Sequence, residues 1–178
     1  MGEYTGRIEI ARPPGEVFAF LADLRNMPHY LPTVTQVGPQ GHHDQHDDVA
    51  VEGEADGHQY RNDGWLKAEP EARRMRWGSH TMQDYGGSLS VTEAAGGSAV
   101  ELKLSLTPKP EVAARMQQEH GSVDHGMRLS VERTLGSIKA CCEQGGMGAA
   151  GQGGDAKSAD DLHDSRPFGS SATVNPDI

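Results

Sequence analysis

The chain has 178 residues and a formal net charge of −10. With a pI near 5.3 and no Lys/Arg cluster, it is a poor electrostatic partner for nucleic acid or an anionic membrane surface. No apolar run reaches the length of a membrane span, and the N-terminus lacks the basic and apolar segments of a secretion signal. Gly6 also stands where a myristoylation motif carries Ser or Thr. The two cysteines, Cys141 and Cys142, are adjacent and diverge by about 100° on a helix. They form no disulfide framework, and a cytoplasmic setting is expected.

Arg7 to Ala11 alternates, with Ile8 and Ile10 on one face and Arg7 and Glu9 on the other, which predicts a half-buried strand. Pro13 and Pro14 stop it, and Pro14 suits the first turn of a helix. Val17, Phe18, Leu21 and Leu24 give that helix its apolar face. Asn26-Met27-Pro28 is expected to end it, because the residue before proline avoids the α region. One further turn fits between His29 and Leu31.

Thr33 to Gln40 predicts the second strand, followed by a polar connection from Gln40 to Asp48. Val49 to Ala55 alternates, Asp56-Gly57 is a hairpin turn signal, and His58 to Ala68 is the return strand. Further strands are predicted over Arg74 to His80, Tyr85 to Glu93 and Ala99 to Leu106. The last is the cleanest, with Val100, Leu102, Leu104 and Leu106 inward. Five consecutive strands joined by short turns, from Val49 onward, form an antiparallel meander with one buried face. Pro110 opens a helical stretch through His120, Gly121 caps or kinks it, and Ser122 restarts it as an N-cap. Met127, Val131, Leu135, Ile138 and Cys142 then make one apolar stripe. A long amphipathic helix after an antiparallel sheet is expected to lie across the sheet's concave face.

Composition breaks near Gln144. Residues 145–154 are glycine-rich and 155–178 are polar, so 145–178 reads as a disordered tail that cannot bury enough surface to offset its ordering entropy. Residues 1–144 are the expected domain. Deleting 145–178 should therefore leave the melting temperature almost unchanged. A drop of about ten degrees, a stability change of a few kcal/mol at this size, would place the boundary wrongly.

This order of elements resembles the helix-grip fold of the START-like superfamily, and more narrowly its polyketide cyclase/dehydrase-like group, the SRPBCC proteins. The segments that carry the resemblance are RPPGEVFAFLADLRNMPHYLPTV, GWLKAEPEARRMRWGS, DYGGSLSVTE, GGSAVELKLSL and RTLGSIKACCEQ, spread over residues 5–143. It implies an α+β fold, a curved antiparallel sheet around a long C-terminal helix, with a groove or cavity between them. The chain departs from the pattern in its His/Asp-rich stretch Gly41 to Asp48, and in Pro108 to Asp124, which reads as a lid over the cavity mouth or an elaborated loop.

The resemblance makes Trp77, Tyr85, Leu89, Leu102, Leu104, Met127, Val131 and Leu135, with Met75, the expected ligand-binding row. The polar residues weighed for that row are Tyr85, His80, whose parity matches neither Met75 nor Trp77, and Asn62, which shares the parity of Tyr60; Tyr85 and His80 are the candidate acid/base groups. Gly86-Gly87 lets the strand bend or something approach its backbone. His29 reads as a surface residue and Tyr30 as a packing one. His42, His43 and His46, with Asp44, Asp47 and Asp48, are of metal-ligand type, and an extended chain would put His42, Asp44 and His46 on one side. A solvated polar turn is the plainer reading, so no metal and no cofactor are expected.

No Gly-x-Ser-x-Gly motif, no cysteine with a local histidine and no phosphate-cradling loop is present. The expectation is a carrier or sensor of a small hydrophobic molecule (a lipid, quinone or polyketide-like compound). The alternatives are a cyclase or dehydratase using cavity polar groups, and a protein-interaction module. The last lacks a visible apolar patch, since exposed strand positions such as Arg7, Glu52, Glu101 and Lys103 are charged.

Overall fold

Alternation continues outward from Ile8 in both directions. In the computed structural model, which describes residues 2–55 and 57–144, strand β1 runs Gly2–Ile10. It starts before the expected Arg7 because Tyr4, buried like Ile10, extends the inward parity. Helix α1 (Pro14–Ala22) begins on proline and buries Val17, Phe18, Phe20 and Leu21. It stops at Ala22, short of the expected Asn26. There the Asp23 carboxylate accepts from the Arg25 backbone N–H at 3.0 Å and opens a 3-10 turn over Leu24–Asn26. Pro28 consequently sits in the first turn of α2 (Met27–Tyr30) and ends nothing.

The remaining strands are β2 (Val34–His43), β3 (His46–Ala55), β4 (His58–Glu69), β5 (Arg74–Ser79), β6 (Gly86–Ala94) and β7 (Gly97–Leu106). They form an antiparallel meander, and β1 closes on β7 to give the order β1-β7-β6-β5-β4-β3-β2. The two helices after β1 thus carry the chain from one sheet edge to the other. The stretch Gln40 to Asp48 is not a loose connection. The ladder continues through His42↔Asp47 and His43↔His46, leaving Asp44 and Gln45 as the turn. Backbone pairing is indifferent to side-chain polarity, and an edge hairpin tolerates polar residues on both faces.

Pro108 to Asp124 holds α3 (Pro110–His120), ended by Gly121 at φ 77° with its N–H on the Gln117 carbonyl at 3.0 Å. Ser122 Oγ accepts from the His125 N–H at 3.1 Å, starting α4 (Val123–Gln144). α3 buries Val112 and Met116 and packs on α4.

The stripe of α4 is buried throughout: Met127, Ile138 and Cys142 are 0% exposed and Val131 and Leu135 2%. Its middle, Val131 and Leu135, lies on β1, where a Cβ at Gly6 would come within 2.7 Å of both Leu135 Cδ1 and Val131 Cγ1. Glycine at that point is what brings helix and strand together. Polar bonds hold both ends. Tyr4 Oη donates to Asp124 Oδ1 at 3.1 Å, and Glu143 accepts from the Ala11 N–H at 2.8 Å and Lys139 at 3.0 Å. The architecture is α+β, a curved seven-stranded sheet gripping one long helix. Residues 145–178, the expected tail, lie outside the described residues.

Candidate functional site

Beside the line where α4 meets β1, sheet and helices enclose a cavity of about 200 Å³. One wall comes from β5 to β7, with Met75, Trp77, Leu89, Leu102 and Leu104, joined by Tyr85 from the segment before β6. These residues share the parity read from the sequence. Val37, Val49, Val51 and Leu66 on β2 to β4 extend the wall, and Met27, Tyr30 and Leu31 close it from the α2 side. Pro32 and Asp63, exposed members of the lining, mark where it meets solvent.

α4 contributes a different row from the expected one. Val131 and Leu135 are consumed by the contact with β1 at Gly6, and with the buried Met127 they are absent from the cavity wall. The neighbouring row Ser130, Thr134 and Ile138 faces the space instead. Residues three apart on a helix lie on adjacent rows, so seating the apolar stripe on Gly6 turns this second, partly polar row inward. No residue of Pro108 to Asp124 belongs to the lining. That segment is a packed helix and not a lid.

Gly87 acts through close approach. A Cβ there would overlap the Trp77 ring, so glycine lets the indole lie flat on β6. Tyr85 receives a hydrogen bond from Trp77, yet burial pushes its phenol up to about 12, with Tyr60 adding to the rise. Tyr85 is therefore a neutral hydrogen-bond donor at pH 7 and not a base. A phenol whose folded value exceeds the ordinary 10.0 binds its proton more tightly in the native state. Its stabilising contribution is complete below about pH 10 and is lost as the pH rises toward about 12. Melting temperature should fall across that window, and Tyr85→Phe should flatten the fall. An identical alkaline profile in the variant would contradict this environment for Tyr85.

Two other polar groups differ sharply in state. Tyr30 is buried and its Oη donates to the Leu21 carbonyl at 2.8 Å, tying α2 to α1; His29 beside it is exposed. Asn62 lines the cavity, and both Nδ2 and Oδ1 of its amide are buried with no hydrogen-bond partner. Such a group costs about 1–3 kcal/mol when left unsatisfied.

His80 is not in the cavity. Its Nε2 lies 2.9 Å from Asp48 Oδ1 on the opposite face, because it follows β5 in the parity of Gly78 and not of Trp77. The expected grouping of His42, Asp44 and His46 also fails. The turn at Asp44–Gln45 reverses the chain, so His42 pairs with Asp47, while His43, His46 and Asp48 come together. Cys142 is buried, which pushes its thiol up to about 12, and the half-buried Cys141 donates its Sγ–H to the His29 carbonyl at 3.2 Å.

A curved antiparallel sheet folded around a C-terminal helix, with an apolar cavity between them, defines the START-like helix-grip class. The chain belongs to the family described as polyketide cyclase/dehydrase and lipid transport, whose model matches residues 1–143. Solved structures agree on the fold. The Thermus thermophilus protein TTHA0849 superposes with a TM-score of 0.63 at 20% identity, covering 78% of this chain and 94% of that one. The Zhui aromatase/cyclase from Streptomyces sp. R1128 gives 0.60 at 13% identity, covering 82% and 98%. A START superfamily protein from Mycobacterium smegmatis gives 0.60 at 10%, covering 80% and 97%. The search among curated proteins returns no match. No helix among the described residues is long and apolar enough to cross a membrane.

Proposed function

We propose that the protein binds a compact, mainly apolar small molecule in the cavity between sheet and α4, as a carrier or sensor. The observation that carries this reading is Asn62. A family domain keeps a buried amide with a free donor and a free acceptor inside an otherwise apolar space, an arrangement that suits a ligand able to satisfy both. The occupant would have apolar rings or chain against Leu89, Leu102 and Trp77, and a carbonyl or hydroxyl at Asn62. Its size follows from the volume: about 200 Å³ exceeds the roughly 150 Å³ of an apolar cavity that takes up benzene, so one or two rings fit. The family description, which names lipid transport beside polyketide cyclisation, supports an apolar ligand.

The test is titration of the full chain with the apolar fluorophore anilinonaphthalene sulfonate, together with mass spectrometry of an organic extract. Saturable binding of one equivalent is expected, and Thr134→Phe, which projects a ring into the cavity from α4, should abolish it. A wild-type protein with no saturable binding and an empty extract would overturn the reading.

One observation favours a cyclase as the second reading. Tyr85, a phenol held neutral, shares the cavity with Asn62, and two donors could orient a substrate carbonyl for ring closure. His80 has no part in it. Turnover of a poly-β-ketone chain that falls in Tyr85→Phe while ligand affinity persists would favour this reading over a carrier.

A further inference from the structure

Strand geometry at the β2–β3 tip puts three metal-ligating side chains on one face. His43 and His46 are directly opposed across the two-residue turn, so their side chains point the same way. Asp48 is two residues further along β3 and shares that face by the period of two. Their ligand atoms all lie within 4.8 Å of one another. His43 Nε2 is 2.9 Å from Asp48 Oδ2, and His46 Nε2 is 3.6 Å from Asp48 Oδ1. A tetrahedral zinc ion with bonds of about 2.0–2.1 Å separates its ligands by roughly 3.3 Å, and each histidine stands near that spacing from one of the two Asp48 oxygens, His43 from Oδ2 and His46 from Oδ1.

The surroundings add to this. His46 packs its ring on the edge of Trp65 at 5.9 Å between centroids, and on His43 at 5.2 Å, which restricts both imidazoles. His80, arriving from beyond β5, holds Asp48 Oδ1 at 2.9 Å, and its own backbone N–H is fixed on the Asp63 carbonyl at 3.3 Å. A carboxylate oriented by a hydrogen bond from outside the ligand set is a recurrent feature of metal centres. The face is reachable, since the four side chains range from 26% to 60% exposed. The net charge of −10 favours cation capture.

We propose that His43, His46 and Asp48 bind one divalent transition ion of the zinc class, with His80 as the residue that positions the carboxylate. The N₂O donor set suits zinc, nickel or copper over magnesium or calcium. A water completes the coordination. The ion would staple the tip of the edge hairpin and, through Asp48 and His80, bind it to the 79–85 segment. That segment supplies Ser79, Met82 and Tyr85 to the cavity, which places the ion behind one cavity wall.

The experiment uses the full chain, titrated with zinc sulfate by calorimetry and with cobalt chloride by visible absorption. One site is expected whose zinc affinity falls by more than about tenfold in His46→Ala and in Asp48→Asn. His42→Ala, on the opposite face of the same hairpin, should leave it unchanged and so serves as the control. His80→Ala should weaken binding less and shift the cobalt spectrum, which a merely structural role would not do. Circular dichroism checks that each variant folds. For any that does not, amide chemical-shift changes in the wild type on adding zinc should centre on residues 43, 46, 48 and 80. Absence of saturable zinc binding, equal losses in His42→Ala and His46→Ala, or shifts centred elsewhere would overturn the proposal.

Discussion

Leu135→Asp is expected to unfold the domain or reduce it to a non-cooperative state at room temperature. Leu135 is 2% exposed and meets β1 at Gly6, where even a Cβ on the strand would come within 2.7 Å of its Cδ1. A carboxylate there would sit beside the Val131 side chain in a contact from which water is excluded. Burying an unpaired charge costs several kcal/mol against a total stability of about 5–15. Leu135→Ala, which removes packing without adding charge, should cost about 2–5 kcal/mol and leave a cooperative transition. Urea denaturation followed by circular dichroism separates the two. A soluble Leu135→Asp protein with an unchanged midpoint would mean that α4 does not sit on β1 as described.

Asn62→Leu is expected to act in the opposite direction and raise stability. The native amide has both polar atoms buried and unpartnered, whereas leucine offers apolar surface to the same apolar neighbours. Removing the desolvation penalty should stabilise the ligand-free domain by about 1–3 kcal/mol. The same change should weaken retention of any ligand carrying a carbonyl or hydroxyl, because its polar group would then face hydrocarbon. Gain in stability with loss of binding is the signature of a residue kept for function. A variant that is less stable than wild type would show that Asn62 is satisfied within the folded protein, and the argument for a polar group on the ligand would fall with it.

Local pattern determined a great deal of this protein. The alternation at Val100, Leu102, Leu104 and Leu106, the turn residues between strands and the stripe from Met127 to Cys142 specify a meander and a long helix, because periods of two and 3.6 are properties of the backbone itself. They also predict the cavity wall formed by Met75, Trp77, Leu89, Leu102 and Leu104. Of the three polar residues weighed for that wall, Asn62 and Tyr85 line it and His80 does not, because it turns to Asp48. What the tertiary structure decided is how rows are apportioned between neighbours. An apolar stripe must be buried, but sequence does not say against which surface; Gly6 let β1 take Val131 and Leu135, and the cavity received Ser130 and Thr134. The histidines show the same division. Imidazoles and carboxylates at 42–48 are visible in the sequence, yet their grouping depends on a chain reversal at Asp44–Gln45. The arrival of His80 at Asp48 depends on the segment after β5 reaching across β4 to β3, a side-chain meeting that strand pattern alone does not specify.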